Sequence, residues 1–219
     1  MRAVCAARTG GDDPVANLDV GDVPEPELQP GWSLIRFTAG SLNHHDVWTL
    51  RGISATPVVP PHVLGCDLVG VVERHGADVP GSAPAPGTRV IAHSTVVCGS
   101  CPACLGGEGG ICRNARLFSE TPVAGTFSDL VAAPARNLIA LPDAVADDVA
   151  ACLPTAYLTA YHMLFARAAL RPGMNVLVQG AAGGVPSAAI LLAALAGVTV
   201  YATSRDESKR ALALELGAT

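Results

Sequence analysis

Four of the seven cysteines in this 219-residue chain lie within one short segment, with the spacing C-x2-C-x2-C-x7-C. They are Cys98, Cys101, Cys104 and Cys112. Thiolates two residues apart can turn back onto one ion, and the glycines between them supply tight turns. Four thiolates that close a tetrahedron form a structural zinc site, which has no open position for a substrate. We therefore predict that this cysteine lobe, residues 95–115, stabilises a scaffold and carries out no chemistry.

Three other interpretations of the cysteine lobe remain open. An iron–sulfur cluster is the strongest of them, because three closely spaced cysteines and a fourth can hold one. A disulfide knot is disfavoured, since the N-terminal sequence MRAVCAARTGGDDP contains no hydrophobic export segment. The last interpretation is chance clustering of the cysteines.

Composition and charge exclude several classes of protein. Glycines and charged residues interrupt the longest apolar runs, so no segment is predicted to span a membrane. The net charge is −5 and there is no run of basic residues, so we expect no nucleic-acid partner. These features are typical of a soluble cytoplasmic globular protein.

The first part of the chain, residues 1–145, is predicted to be rich in β-structure. Residues 32–39 alternate between apolar and polar side chains, as a half-buried strand does. Residues 63–73, 88–92 and 125–133 are apolar or β-branched and are bounded by Pro and Gly. Short strands joined by such turns indicate a small barrel rather than a layered α/β unit.

The second part, residues 146–219, has the pattern of an α/β domain. Two segments of helical periodicity, at 147–152 and 155–170, come before an apolar strand. The order that follows is typical of the first half of a doubly wound parallel sheet: strand 175–179, glycine-rich loop 180–186, helix 187–196 and strand 198–202. We expect a last helix to begin at Ser204, with Glu207 in a capping box, and to end at Gly217.

Two parallel strands are fewer than a doubly wound nucleotide domain needs, because they cannot cover both of their own faces. We therefore expect a chain that is truncated at its C-terminus. One alternative follows directly: the chain is a non-catalytic relic in which the β-rich part folds and the half-built α/β part does not, with protease sensitivity confined to residues after about 145.

The glycine-rich loop is a candidate phosphate cradle. Glycines let the backbone approach a pyrophosphate, and the following helix directs its free N–H groups and positive dipole end at the anion. The G-x-G-x-x-G pattern is incomplete here, so a tight turn without a ligand is the alternative. The predicted cofactor-binding residues of the loop are Gly180, Ala181, Ala182, Gly183, Gly184 and Val185.

The end of the second strand bears on the choice of cofactor. An acidic residue at that point would bind the ribose hydroxyls of NAD, and none stands there. Ser204 and Arg205 suit a 2′-phosphate instead, with Lys209 as a further contact, so we predict NADPH. The alternative is that Arg205 and Lys209 only form a solvated helix face.

These motifs together resemble the medium-chain dehydrogenase/reductase family, the zinc alcohol dehydrogenases and quinone oxidoreductases. The resemblance implies an N-terminal GroES-like β-barrel domain and a Rossmann nucleotide-binding domain, a small-molecule substrate and a homo-oligomer. The matching segments, in the order of the family, are VPEPELQPG (23–31), SLNHHDVWTLRG (41–52), PHVLGCDLVGVV (61–72), the cysteine lobe, GTFSDLVAAP (125–134), LPTAYLTAYHML (153–164) and GAAGGV (180–185).

The zinc-dependent branch of that family also has a catalytic zinc, held by a Cys, a His and a later Cys or Asp. In this sequence Asn43, Cys66 and Thr155 stand at those three positions. Asn and Thr are poor zinc ligands, so the resemblance implies one zinc per chain and a place near the quinone oxidoreductases. A zinc alcohol dehydrogenase, which would need two zinc ions per chain, is the alternative.

Without a Lewis acid, a quinone or an α,β-unsaturated carbonyl is an easier substrate than an unactivated ketone, because conjugation already accepts the hydride. We expect Asn43, His45 and Thr155 around the reacting oxygen. The resemblance aligns His45 with a proton relay, His44 with a contact to the cofactor pyrophosphate, and Asp46 with an orienting residue. Pro186 stands where the family has Gly, which removes a backbone N–H and is predicted to weaken the binding of NADPH.

Overall fold

The computed structural model describes residues 1–219 and divides them into two compact units, Met1–Pro154 and Thr155–Thr219. The domain boundary predicted at about residue 145 precedes this division. No helix in the structure has the length and apolar character needed to cross a membrane.

The first unit consists mainly of short antiparallel strands, as predicted. They form a three-stranded sheet in the order β2-β1-β4, a five-stranded sheet in the order β10-β6-β5-β3-β9, and the pair β7-β8, rather than one closed ring. The strands are β1 (Arg2–Ala6), β2 (Leu18–Asp22), β3 (Trp32–Ala39), β4 (His62–Val63), β5 (Val69–His75), β6 (Arg89–Ala92), β7 (Thr95–Val96), β8 (Arg116–Leu117), β9 (Leu130–Pro134) and β10 (Leu138–Ala140).

The strand predicted over 32–39 is confirmed as β3, at the heart of the five-stranded sheet. The segment predicted over 63–73 is interrupted, because the chain bends at Cys66 between β4 and β5. β3 pairs with both β5 and β9, so three successive residues, Ser33 to Ile35, are buried. The main core contains Ile35, Leu68, Val72, Val90, Ala92, Phe118, Val131, Ala133 and Leu138.

Three short helices complete the first unit: α1 (His44–Leu50), α2 (Pro102–Leu105) and α3 (Asp147–Ala151). α1 buries Asp46, Thr49 and Leu50, and Leu50 packs in a small core with Ala6 and Leu64. Single 3-10 turns occupy Pro14–Asn17, Gly109–Ile111 and Ala135–Asn137.

The second unit contains α4 (Leu158–Tyr161), β11 (Asn175–Gln179), α5 (Gly184–Leu195), β12 (Thr199–Thr203) and α6 (Glu207–Glu215). The two strands pair in parallel, which confirms the predicted strand–loop–helix–strand–helix order. The helix predicted over 155–170 is irregular, since the π-helical turns Leu153–Tyr157 and His162–Arg167 flank α4. The core of the unit is alanine-rich and includes Ala188, Ala189, Ile190 and Ala193 of α5 together with Val198 and Val200.

The predicted start of the last helix at Ser204 is wrong. α6 begins at Glu207 and is capped by Asp206, whose carboxylate accepts hydrogen bonds from the N–H groups of Ser208 and Lys209. A carboxylate is a strong acceptor that also complements the helix dipole. Ser204 lies in the preceding turn, where its hydroxyl oxygen accepts the Asp206 N–H.

Candidate functional site

The cysteine lobe brings its four sulfur atoms together. The Sγ–Sγ distances are 3.9 Å for Cys98–Cys104, 3.5 Å for Cys101–Cys104 and 3.6 Å for Cys112–Cys98. A tetrahedral zinc ion with bonds of about 2.3 Å separates its sulfurs by roughly 3.8 Å, so the four thiols fit one ion. The spacing is too long for a disulfide, which needs about 2.05 Å. It is also too short to enclose the several metal ions of an iron–sulfur cluster.

Local structure sets the position of each thiol. Cys101 caps α2 at its N-terminus, and Cys112 follows the turn Gly109–Ile111. The backbone N–H groups of Ser100 and Cys101 point at the sulfur of Cys98 and lower the pKa of that thiol to about 6. Such N–H···S contacts favour the thiolate, which is the form that binds a metal.

Gly99 explains how the lobe is tied to the sheet. Its φ is +75°, and a side chain there would collide with the guanidinium of Arg136. That guanidinium donates to the backbone carbonyl of Val97, just before the first cysteine. Arg136 was not predicted to have a role, because nothing in the sequence around it shares a motif with the cysteines.

A second cluster surrounds the start of α1 and contains three of the predicted catalytic residues, Asn43, His45 and Asp46. The side chain of Asn43 donates to Asp67 Oδ2 over 2.8 Å, and the Ser41 hydroxyl donates to the same oxygen. The carboxylate of Asp46 accepts the N–H of Asn43 over 2.8 Å and that of Gly65 over 3.0 Å. Asp46 therefore fixes the loop around α1, as expected for an orienting residue.

The imidazole of His45 lies in the same cluster, with both ring nitrogens directed at protein groups. Nδ1 is 3.3 Å from the Sγ of Cys66 and 3.5 Å from the hydroxyl of Thr49. Nε2 is 3.6 Å from Oε1 of Glu120. The side chains of His45 and Glu120 are only 12% and 15% exposed, so water screens this contact poorly.

Burial dominates the electrostatics of the cluster. Desolvation raises the pKa of Asp46, although the N–H groups of Asn43 and Gly65 oppose it. Desolvation, followed by the nearby charges of Asp46, Asp67 and Glu120, raises the pKa of the Cys66 thiol far above its ordinary value. Cys66 is therefore held as S–H, and it is within 3.5 Å of the carbonyl of Phe118, to which it can donate.

His45, Asp46 and Cys66 also bring a nitrogen, a carboxylate oxygen and a sulfur within 4.8 Å of one another. Both carboxylate oxygens of Asp46 already accept backbone N–H groups, and the sulfur of Cys66 lies 3.5 Å from the Phe118 carbonyl. With these groups engaged within the protein, the donor set fits a hydrogen-bonded cluster better than a metal ion.

The predicted cofactor loop lies in the second unit, between β11 and α5. Gly180 has φ +79° and Ala182 has φ +74°, a region that non-glycine residues seldom occupy. The N–H groups of Gly180 and Ala181 donate to the carbonyl of Thr203, which ties the loop to the end of β12. The first-turn N–H groups of α5 at Gly184 and Val185 have no intrahelical acceptor, as an anion site requires.

One cleft joins this loop to the end of β12. It is lined by Gly180, Ala181, Ala182, Gly183, Thr203, Ser204, Arg205, Asp206 and Lys209. The structure thus brings together the predicted residues Ser204, Arg205 and Lys209. Two further residues were missed: Asp206, which caps α6, and Arg210, whose guanidinium donates to the carbonyl of Ser204 over 2.8 Å.

The other predicted residues fall in different places. His44 is exposed on α1, and its ring meets the edge of the Trp48 ring at 5.2 Å. Thr155 belongs to the second unit, within a π-helical turn. The roles of His44 and Thr155 stay predictions. Glu120 was missed because it follows the cysteine lobe in a segment without a motif, and only the folded chain brings it to His45.

Comparison with known proteins points to one family. Residues 29–143 match the family model of the alcohol dehydrogenase GroES-like domain. The chain is 30% identical to a crotonyl-CoA carboxylase/reductase of Cereibacter sphaeroides, over 99% of the chain and 51% of the relative. It is 33% identical to a zinc-type alcohol dehydrogenase-like protein of Schizosaccharomyces pombe, over 90% of the chain and 55% of the relative.

A solved structure of an NAD-dependent alcohol dehydrogenase superposes on the whole chain with a TM-score of 0.90 and 41% identity, and the match covers 62% of that protein. The chain spans about half the length of the curated relatives it matches. The similarity extends over the GroES-like part and the partial Rossmann part alike.

Proposed function

The chain belongs to the medium-chain dehydrogenase/reductase family, and from that premise we propose that it is part of an oxidoreductase that reduces an α,β-unsaturated carbonyl compound with NADPH. The observation that supports this most is the side chain of Asn43. It stands at the first metal-ligand position of the zinc branch, and it donates a hydrogen bond to the buried Asp67. The amide is thus engaged with a carboxylate, and a neutral amide is not among the usual ligands of zinc, which are Cys, His and Asp or Glu.

The residues at the other two ligand positions favour the same conclusion. Cys66 is a protonated thiol within 3.5 Å of the Phe118 carbonyl, and Thr155 has a hydroxyl at the third ligand position. A reaction that needs no Lewis acid suits this donor set, and conjugated carbonyls are such substrates because their double bond already accepts a hydride. Crotonyl-CoA, in the name of one relative, is a compound of this kind. A quinone is the other substrate class that fits.

The cleft of the second unit is where we propose that the cofactor binds. The loop Gly180–Gly183 and the start of α5 would hold the pyrophosphate, and Arg205 with Lys209 would hold a 2′-phosphate. Asp206 lies in the cleft, but its carboxylate is already engaged by the N–H groups of Ser208 and Lys209. It is therefore a weak competitor for the ribose hydroxyls of NADH, even though one structural neighbour is NAD-dependent.

The chemical roles of the chain's own residues follow from this assignment. NADPH, when bound, supplies the hydride. Addition of a hydride to the β-carbon leaves negative charge on the carbonyl oxygen, which hydrogen-bond donors must stabilise and a proton must neutralise. We assign the donor role to Asn43 and the proton to His45, with Asp46 holding the loop in place. One zinc ion in the cysteine lobe would have a structural role only.

The binding of cofactor tests the proposal first. The purified 219-residue chain is titrated with NADPH and with NADH, and nicotinamide fluorescence is followed. We expect saturable binding that prefers NADPH, and an Arg205→Gln variant that loses about tenfold in affinity for NADPH alone, since one charge-assisted contact to phosphate is lost. Arg171→Gln, at an exposed arginine outside the cleft, is the matched control.

Turnover and metal content complete the test. We expect oxidation of NADPH with an α,β-unsaturated carbonyl and one zinc ion per chain. Two zinc ions per chain together with oxidation of simple alcohols would instead establish a zinc alcohol dehydrogenase. Failure of both cofactors to bind would contradict the assignment of the cleft.

A further inference from the structure

Glu120 is the residue in the first unit whose position calls for a functional explanation. Its Oε1 is the charged group that faces Nε2 of His45, at 3.6 Å. That nitrogen is buried and makes no hydrogen bond within the structure. Buried polar atoms are almost always paired, so an unpaired ring nitrogen aimed at a carboxylate indicates a proton that the two groups share.

The fold holds Glu120 in place from both sides. The N–H of Leu117 donates to Glu120 Oε2 over 2.9 Å, which leaves Oε1 for the histidine. Ser119 has φ +66°, an uncommon conformation for a residue with a side chain, and it is fully buried. The same turn presents the carbonyl of Phe118 to Cys66. One strained turn therefore supplies a partner to Cys66 and a partner to His45, and strain of this kind clusters at functional sites.

The contacts of the two ring nitrogens favour a charged histidine. Cys66 lies within hydrogen-bond distance of the Phe118 carbonyl, and its sulfur can accept the Nδ1–H of His45. A neutral imidazole protonated on Nδ1 would then direct the lone pair of Nε2 at a carboxylate in a poorly hydrated site, which is repulsive. A second proton, on Nε2, converts that repulsion into an ion pair, and the nearby carboxylate of Asp46 favours the same charge.

We propose that Glu120 is a positioning residue that keeps His45 doubly protonated, so that the imidazolium holds the proton for the reduced substrate. The inference rests on the proposed function. Addition of the hydride that NADPH would supply forms a C–H bond at the β-carbon and moves the electron pair of the C=C bond toward the carbonyl oxygen. One N–H bond of the imidazolium then breaks, directly or through one water, as an O–H bond forms, and the resulting enol exchanges that proton for one on carbon to give the saturated carbonyl compound. His45 becomes neutral, and a proton from solvent restores it.

The charge of His45 can be measured without cofactor or substrate. The chain is labelled with 15N-histidine, and the ring nitrogen shifts are recorded at pH 7.5. The chain has six histidines, and His45→Gln identifies the signal. We expect an imidazolium with both nitrogens protonated in the wild type, a neutral ring in Glu120→Gln, and partial recovery of the charge in Glu120→Asp. Glu27→Gln, at an exposed glutamate, should leave the signal unchanged.

Kinetics provide the second readout. Glu120→Gln should lower kcat for carbonyl reduction by about tenfold or more with KM unchanged, and the loss should grow as the pH rises, since general acid catalysis contributes roughly 10²–10⁴-fold. A neutral His45 in the wild type, or equal charge in wild type and Glu120→Gln, overturns the inference. If Glu120→Gln does not fold, Glu120→Asp decides by the same two readouts. A charged His45 in a chain without reductase activity would support the ion pair and contradict the proposed function alone.

Discussion

Apolar strand residues are buried in the first unit but partly exposed in the second. In the first unit, β3 pairs on both sides, and the consecutive residues Ser33, Leu34 and Ile35 are all buried. In the second, β11 and β12 pair only with each other, and the cross-strand neighbours Leu177 and Tyr201 are 57% and 49% exposed. An apolar run therefore indicates a strand in both units, but what covers the faces of the sheet decides whether the strand forms part of a core.

The candidate sites of the two units also differ in how buried their residues are. In the first unit, the buried carboxylates of Asp46 and Asp67 accept hydrogen bonds around α1, from the Gly65 N–H and from the Asn43 side chain. In the second, the cleft is formed by backbone and exposed polar side chains, with positive φ angles at Gly180 and Ala182. Buried side-chain contacts thus characterise the site of the first unit, and exposed backbone and polar groups that of the second, so each makes its own predictions.

Loss of the metal from the cysteine lobe should have the largest effect. Cys112 is buried, and we expect Cys112→Ser or a strong chelator to reduce zinc from one ion per chain to none and to expose residues 98–112 to proteases. Structural zinc contributes about 10–16 kcal/mol in small zinc peptides, far more than any side-chain contact discussed here. Metal analysis and mapping of the cleavage sites by mass spectrometry measure both results.

Cys152→Ser is the matched control for that experiment, because Cys152 is an exposed cysteine of the same unit outside the lobe. It should keep the zinc and the protease resistance of the wild type. A wild-type chain that contains iron and sulfide in place of zinc would contradict the assignment of the ion.

The second-largest effect is expected when a buried leucine is shortened. Leu68 is fully buried in the first unit, and Leu68→Ala should lower the free energy of unfolding of that unit by about 2–5 kcal/mol. Leu177→Ala, on the open face of β11, should lower that of the second unit by less than about 1 kcal/mol. Denaturation followed by hydrogen exchange separates the two units. Equal losses would show that the face of β11 is covered in solution.

Much of the fold could be predicted from local patterns. β3 and β11 have the predicted bounds, because alternation and apolar character are properties of neighbouring residues. α1 was missed, since its buried residues include Asp46 and Thr49, and their burial depends on contacts far along the chain, such as the Gly65 N–H that meets Asp46. The capping-box pattern of Ser204 and Glu207 predicts a helix start at Ser204, whereas the carboxylate of Asp206 caps α6 in the structure.

The candidate sites also differ in whether a local sequence pattern predicts them. The cysteine lobe and the glycine loop are local motifs, and their atoms come together as predicted. The contact between His45 and Glu120 joins residues 75 positions apart in the sequence, so no spacing rule reveals it. Sequence patterns therefore identify sites formed by one segment, whereas sites formed by several segments need the folded chain.

Pro186 bears on how the cleft would bind a pyrophosphate. It lies in the first turn of α5, where a residue with an N–H could direct one more donor at a pyrophosphate. We expect Pro186→Gly to tighten the binding of NADPH by about tenfold or less, the value of one added hydrogen bond to an anion. Pro172→Gly, in the turn before β11, is the control, and fluorescence titration is the measurement. Unchanged affinity in Pro186→Gly would mean that the first turn does not contact the cofactor.

The smallest expected effect is on stability, and it concerns one carboxylate from each unit. Hydrogen bonds from Arg89, then from Thr38, hold the pKa of Asp147 below its usual value, and they tie α3 to β6. The hydroxyl of Ser208 and the N–H of Lys209 lower the pKa of Asp206, which contacts only its own helix. A lowered pKa means that the carboxylate stabilises the fold above the unfolded value of about 3.9, and that this stabilisation is lost as the pH falls through the lower, folded value.

Asp147→Asn should therefore lower the stability of the first unit at pH 6 by about 1 kcal/mol or less, and the difference from wild type should begin to shrink as the pH falls below about 4. Asp143→Asn is the control, since Asp143 is fully exposed and 3.9 Å from the same Arg89. Asp206→Asn should change the second unit least, because asparagine also caps helices well. Thermal melts between pH 3 and pH 7 measure all three. A larger loss in Asp206→Asn than in Asp147→Asn would show that the second unit depends on its helix caps more than the first depends on its long-range ion pairs.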